Sequence, residues 1–249
     1  MFYPSLASAN LPITVLKFGG SVLSGPDALT NAVAEVERTL RAGSRVVVVT
    51  SAFSGVTERL LNKARTLFRA PPEKPLASLL ATGESRSAAF LSLALDDAGV
   101  TNELLDPDRI GLTVRGSSLD GEPVDVDVAG VHKALGRAPV IVLPGFFGRR
   151  LDGSVAVLGR GGSDLTALFL AERLSAQACR LIKNVDGLFS RDPGSSTMEL
   201  YRYHAASWDE LATVGGSLVQ KKAIEFARKH GVAFTIAAPL SDLGTRVAS

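Results

Sequence analysis

ITVLKFGGSVLSGPDALTNAVAEVERTLRAGSRVVVVTSAF, residues Ile13–Phe53, begins and ends on apolar, β-rich runs with a helix-like segment between them. ITVLKF (Ile13–Phe18) reads as a short strand ended by Gly19-Gly20. RVVVVTSAF (Arg45–Phe53) is a continuous apolar run of the kind shown by a strand buried on both faces. Between them, Pro26 to Ala42 carries Leu29, Val33, Val36 and Leu40 at helical spacing. Strand, helix and strand in that order make a β-α-β unit.

The alternation continues outward. ASLLATGESRSAAFLSLALDDAG predicts a helix, PVIVLPGFFG a strand and loop, and Leu165–Leu174 a helix; CRLIKNVDGLF then predicts a strand and turn. Val219–His230 follows as a helix and VAFTIA as a strand. Strands alternating with helices throughout imply an α/β fold, a mostly parallel sheet covered on both faces. Such sheets bind ligands at the carboxyl ends of their strands. At those ends stand Lys17 with Gly19-Gly20-Ser21, Thr50-Ser51-Ala52 with Ser54-Gly55-Val56-Thr57, Gly145-Phe146-Phe147-Gly148, and Val185-Asp186-Gly187. Glycine, hydroxyl and charge therefore converge on one edge.

LGRGGSDLTALFLAERL (Leu158–Leu174) is the densest of these patches. Its glycines let a backbone approach another molecule closely, and a helix starting there points unpaired N–H groups into the loop. It matches neither G-x-x-x-x-G-K-[ST] nor the dinucleotide fingerprint, since Asp164 replaces the third glycine of the latter.

Composition narrows the partners. The 249 residues are 46% apolar and 21% charged, with a formal charge of +2 and a pI near 8.8, as in an ordinary soluble globular protein. Basic residues are scattered apart from pairs such as Arg149-Arg150 and Lys221-Lys222, which argues against nucleic acid. A single cysteine, Cys179, excludes an internal disulfide and a CxxC metal pair, and is expected to pack in a reducing cytoplasm. No apolar run reaches the roughly 18 residues of a membrane span. MFYPSLASAN lacks the pattern of a signal peptide, so residues 1–12 read as an N-terminal extension. The alternating acids of Leu119–Gly130 lack EF-hand spacing and are expected to form an exposed loop. His132, His204 and His230 form no metal-ligand pattern, and Trp208 reads as a packing anchor.

KFGGS, VVVVTSAFSGVT, TGESRS, PGFFGR, LGRGGSDLTA and NVDGLFSRDP, in this order, resemble the catalytic domain of aspartate kinases, within the amino acid kinase superfamily. The likeness runs from about Thr14 to about Val247. It implies a three-layer αβα sandwich over residues 13–249 and ATP-dependent phosphorylation of the L-aspartate side-chain carboxylate to 4-phospho-L-aspartate, a step toward lysine, threonine and methionine. It also implies Mg²⁺ held mainly by the nucleotide phosphates, with no metal site of the protein's own, a cytoplasmic homodimer, and room for a separate homoserine dehydrogenase or regulatory partner. The chain ends where the resemblance ends, so paired regulatory domains are not expected, nor inhibition by lysine or threonine through them.

Carried over by position, the resemblance makes Lys17 the cation that reaches the transferred phosphate and Asp164 its catalytic companion. Phosphoryl transfer leaves the protein mainly positioning and charge stabilisation. Arg160 would clamp the α-carboxylate as a planar fork, with Ser163 beside it, while Glu84 and Asp164 would meet the ammonium group and organise the lysine. TGES places Glu84 in the first turn of a helix. Ser51 and Thr57 match substrate-loop hydroxyls, and Phe146 closes the pocket. Gly19, Gly20 and Ser21 would bring backbone N–H groups to phosphate, with Lys183, Asn184, Phe189 and Asp192 on the nucleotide side.

Two positions depart from the family. Its arginine after Asp-Pro is here Gly194, and its phosphate-binding lysine is Ser217 in GGSLVQKKA. Each loss, uncompensated, costs roughly 10²- to 10³-fold in rate. Lys183, with Lys221 or Lys222, is expected to replace them. Two alternatives stay open: the same fold acting on another carboxylate or small-molecule acceptor, or a weakly active regulatory protein that binds nucleotide or amino acid.

Overall fold

The computed structural model describes residues 11–25, 27–190, 201–215 and 218–249, so Asp192, Gly194 and Ser217 lie outside the described residues. In chain order the first half runs β1 (Ile13–Phe18), α1 (Ala28–Arg41), β2 (Arg45–Thr50), α2 (Val56–Leu67), α3 (Glu73–Asp97), β3 (Asn102–Leu104), β4 (Thr113–Gly116), β5 (Gly121–Asp125) and α4 (Val128–Arg137). The second half runs β6 (Val140–Pro144), β7 (Phe147–Arg149), β8 (Val155–Val157), α5 (Gly162–Arg173), β9 (Ala178–Ile182), β10 (Ala205–Ser207), α6 (Trp208–Val214), α7 (Lys221–His230), β11 (Phe234–Ala237) and β12 (Thr245–Ala248).

Eight strands form one sheet in the order β10-β12-β11-β9-β1-β2-β6-β3, parallel except for the β11–β12 pair. β1 and β2 are central, and every residue of both is buried. Val46, Val47, Val48 and Val49 are fully excluded from solvent. Burying such a side chain contributes about 1.5–3 kcal/mol, which is why the run carries no alternation. One apolar cluster packs α4, α5 and α7 on one face of the sheet, and a second packs α1 and α3 on the other. The expected αβα sandwich is present.

The chain leaves β1 toward β2 on one side and meets β9 on the other, so β1 and β9 flank the point where the strand order reverses. A ligand crevice opens at such a point. Above it lies a second sheet in the order β5-β4-β7-β8. This corrects the reading of Leu119–Gly130 as a loop: Gly121–Asp125 pairs antiparallel with β4, and Asp127 caps α4 by accepting from the Gly130 N–H at 2.9 Å. Trp208 does anchor, donating its indole N–H to the Val232 carbonyl at 3.3 Å, and Cys179 is a buried free thiol. Among the described residues no helix is long and apolar enough to cross a membrane.

Candidate active site

α5 is buried from Gly162 to Ala171 and shows almost no polar face. A helix of that kind sits inside the core, with its N-terminus held at one place by packing on all sides. Gly161 precedes it in a left-handed conformation (φ 75°), which glycine adopts at no steric cost, and a Cβ there would also run into Gln220. Ser163 and Asp164 therefore stand in the first turn, at the positive end of the helix dipole.

Asp164 meets two lysines there. Its Oδ1 lies 2.7 Å from Lys17 Nζ, and its Oδ2 accepts from Lys183 Nζ at 2.7 Å. Lys17 lies near the end of β1, and Lys183 follows directly on β9, whose Ile182 is in register with Phe18. The Lys17 and Asp164 side chains are 5% exposed and Lys183 is 13% exposed. Two cations around one carboxylate leave a buried net charge of about +1. Burial pushes the Lys17 ammonium down to about 8, Asp164 works against that, and the neighbouring Lys183 charge adds to it. Burial opposes the charge of Asp164, yet the two ammonium groups hold it down at about 2. Asp164 is thus an ionised spacer between two cations and no proton acceptor at neutral pH.

Glu84 lies near the middle of the 25-residue α3, which corrects its expected place in a first turn. The helix begins upstream at Glu73 and continues through the TGES segment. Burial lifts its carboxyl to about 8, against the Ala52 and Glu84 backbone hydrogen bonds and the Lys17 charge. Its Oε2 is buried with no partner among the described residues. At neutral pH Glu84 is consequently a neutral acid, and it becomes an anionic partner only when a cation arrives beside it. Ser87, one turn further on, donates to the Ser51 carbonyl at 2.6 Å and ties α3 to the loop after β2.

These groups open onto a cleft of about 750 Å³. Lys17, Ser51, Thr57, Glu84, Phe146, Arg160, Ser163 and Asp164 all line it, so the structure brings the whole expected acceptor set together. Arg160 is exposed at the cleft and makes no ion pair or hydrogen bond among the described residues. Phe146 is held at φ 74° by hydrogen bonds on both sides: its N–H donates to Thr166 Oγ1 at 3.1 Å and its carbonyl accepts from the Leu158 N–H at 2.7 Å. A bulky residue in that conformation costs roughly 1–2 kcal/mol, which the packing of the loop offsets.

The expected nucleotide set is not gathered in the same cleft. The Gly19 N–H donates to the Ile182 carbonyl at 3.1 Å, so that amide is not free for a phosphate, a correction that narrows the expectation to Gly20 and Ser21. Lys221 points into solvent, 85% exposed and 3.6 Å from Glu225. Lys222 is enclosed by three oxygens: Asp120 Oδ1 at 2.6 Å, Gly121 O at 2.7 Å and Leu158 O at 3.1 Å. Neither lysine lines the cleft: Lys222 is held across to the β4–β5 turn, and Lys221 makes only a solvent-exposed contact one turn along α7. Asn184 is exposed, and Phe189 is half-buried in an isolated bridge to Arg202.

Sequence reasoning passed over the α2 wall of the cleft, Glu58, Leu61, Asn62 and Arg65. Their i, i+3, i+4, i+7 spacing is a helical stripe and was the available signal. Leu119, in the β4–β5 turn, and Val157, on β8, carried no such signal.

The Amino acid kinase family model matches residues 12–237. This chain belongs to the amino acid kinase family. Among curated relatives, the aspartokinase of Corynebacterium efficiens is 31% identical over 242 residues, covering 96% of this chain and 58% of that protein. Aspartate kinase from Synechocystis superposes with a TM-score of 0.79 at 27% identity, over 96% of this chain and 40% of that one. Escherichia coli aspartokinase III, solved with aspartate and ADP, superposes with a TM-score of 0.77 at 22% identity, over 95% of this chain and 64% of that one. The chain thus spans about half the length of the curated relatives it matches. Within the amino acid kinase family, the resemblance to aspartate kinases read from KFGGS and LGRGGSDLTA is borne out.

Proposed function

We propose that this chain catalyses phosphorylation of the L-aspartate side-chain carboxylate by MgATP, giving 4-phospho-L-aspartate and ADP. The observation that carries the proposal is the buried Lys17–Asp164–Lys183 group at the junction of β1, β9 and α5. A carboxylate oxygen attacks the γ-phosphorus, the bond to the β,γ-bridging oxygen breaks, and ADP departs with that electron pair. Negative charge spreads over the transferred oxygens meanwhile, and preorganised cations in a dry site are worth most at that moment.

Lys17 and Lys183 supply those cations. Asp164 holds them about one carboxylate apart and keeps their mutual repulsion affordable in the interior. Lys183 takes the role that Ser217 cannot, since it reaches Asp164 from the neighbouring strand. Arg160, unpaired at the cleft, is suited to the α-carboxylate, and Glu84 to the ammonium, which it receives by giving up its proton. Ser51, Thr57 and Ser163 supply hydroxyls along the same wall. Magnesium, when bound with the nucleotide, neutralises part of the phosphate charge. Among the described residues no group of three or more His, Cys, Asp or Glu side chains is placed to hold a metal. The lysine-rich donor set fits the anionic face of a metal nucleotide.

The test is ATP-dependent acyl-phosphate formation trapped with hydroxylamine, on aspartate, glutamate, N-acetylglutamate and no acceptor. Hydroxamate from aspartate alone is the expected result. Hydroxamate from another acceptor, or none despite ATP binding, overturns the assignment.

A further inference from the structure

We propose that the cleft holds a second subsite for an apolar monocarboxylate, which takes Arg160 with its carboxylate, lies along α3 over Leu80 and Leu76, and competes with the acceptor. A cleft of about 750 Å³ falls in the range of about 300–1,000 Å³ that encloses drug-sized ligands, and a four-carbon amino acid fills little of it. Aspartate is polar at every end, and Arg160, Glu84 and Lys17 meet all of its groups. The rest of the lining is apolar. Leu76, Leu80 and Val157 are 6%, 6% and 1% exposed, and half-buried Leu61 and Leu119 pack on the same cluster.

The length of this floor is set by α3. Leu76, Leu80 and Glu84 follow one another at i, i+4 and i+8 and all line the cleft, so the floor begins one turn from the buried carboxyl and runs for a second turn. At about 1.5 Å per residue, Leu76 lies about 12 Å along the axis from Glu84, a length that suits a straight chain of about six to eight carbons.

The anchor belongs to the facing wall. Val157 on β8 leads through Leu158 and Gly159 to Arg160, which keeps the Val157 and Arg160 Cα atoms within about 11 Å of each other. The Val157 N–H donates to the Ser118 carbonyl at 2.9 Å and brings the Leu119 segment alongside. Lys222 then joins Asp120 to the Leu158 carbonyl, at 2.6 and 3.1 Å. Arg160 and two floor residues are therefore braced together.

The chemistry makes such a ligand a competitor and no acceptor. Its one carboxylate is spent on the unpaired Arg160 guanidinium, a fork suited to two parallel hydrogen bonds, so nothing is presented to Lys17. Its chain avoids Lys17, Asp164 and Lys183, because covering those charges would cost their hydration without a new partner. Over Leu80 and Leu76 it removes apolar surface from water on both sides. Glu84, given no ammonium, stays a neutral acid. The inference rests on the aspartate reading only in that both ligands use Arg160.

Isothermal titration calorimetry without nucleotide tests it, using acetate, butanoate, hexanoate and octanoate and, separately, L-aspartate. Affinity should rise about threefold per methylene from butanoate to octanoate. Without a carboxylate, 1-octanol should bind at least about tenfold more weakly than octanoate, and Arg160→Ala should weaken octanoate by a similar factor. Octanoate should raise the apparent Kd of aspartate in proportion to its concentration. Leu61→Asn and Leu119→Asn should each flatten the chain-length series, and thermal melts establish that the variants are folded. An affinity independent of chain length, or octanoate bound together with aspartate, overturns the subsite and leaves the aspartate reading standing. Arg65 also lines the cleft, and loss of octanoate in Arg65→Ala with Arg160→Ala unaffected would move the anchor to α2 and overturn the competition. Chain-length-dependent binding of the acids with none of aspartate would support the subsite and overturn the aspartate reading instead.

Discussion

The inner wall of the cleft, around Lys17, Asp164 and Glu84, holds its charges in the dry, whereas the lysines at the start of α7, outside the cleft, lie at the surface or in a structural cage. Lys17, Asp164 and Glu84 are all nearly inaccessible, and their protonation is set by burial and by one another. Lys221 and Asn184 face water, and Lys222 is committed to a structural cage. The difference teaches where a cation counts: a buried ammonium held by a carboxylate is a stronger element than several mobile ones, because water does not screen it. Lys183, just past β9, joins the buried group by donating to the Asp164 carboxylate.

The largest expected effect removes the centre of the buried wall. Lys17→Ala should lower kcat by about 10³-fold or more in the hydroxamate assay, with nucleotide affinity much less changed. In the unaltered chain, the Lys17 cation is present below a pKa of about 8 and is lost above it, so kcat/KM should decline as pH rises through about 8. A profile flat well above that value would mean the ammonium is not the group that acts.

Next comes the contrast between lysines. Lys183→Ala should cost about 10²- to 10³-fold in kcat, and Lys221→Ala less than about twofold. The reverse ranking would break the comparison, placing the second phosphate cation on α7. Lys222→Met is expected to act by a different route. Lys222 ties the β4–β5 turn to the Leu158 carbonyl at the start of the arginine loop, so its removal should raise the aspartate KM roughly tenfold by loosening Arg160. Lys222→Arg should recover part of it. A rise in the ATP KM instead would return Lys222 to the nucleotide.

A last effect concerns stability rather than turnover. Glu84 has a folded-state pKa of about 8 against an ordinary 4.5, so folding takes up a proton between those values. Its contribution is fully favourable below about 4.5 and is lost as pH rises to about 8, at about 1.4 kcal/mol per pH unit in that window. Glu84→Gln does not titrate, and its advantage in Tm over the parent should grow from about pH 5 to about pH 8. Parallel Tm curves would show that Glu84 is ionised in the folded chain.

Legibility followed locality. The strand of four valines and the helical stripe from Leu29 to Leu40 announced the β1-α1-β2 unit because each obeys a short period. The acceptor residues could be named one by one because they sit in short motifs that resemble those of aspartate kinases, most of them in loops after strands or at a helix start. The second sheet was hidden. Gly121–Asp125 has alternating acids and a proline that look like loop, and its strand character comes from pairing with β4, which its own pattern does not display. Glu84 looked like a helix start because TGES has capping chemistry, but upstream turns packed on α2 carried the helix through it.

By itself the amino-acid sequence determined the order of the core strands and helices and the loop edge on which glycine and charge collect, since these rest on neighbours a few residues apart; Lys17, Arg160 and Asp164 were singled out by the resemblance to aspartate kinases. Which lysine answers Asp164 was a tertiary decision. Lys183 and Lys222 are equally basic in the sequence, and only the placing of β9 beside β1 and the docking of α7 against the β4–β5 turn turn one toward the buried carboxylate and the other into a cage of oxygens. The protonation of Glu84 was decided the same way. A carboxyl shifts that far only when packing from several elements distant in the chain has excluded the water that would keep it charged.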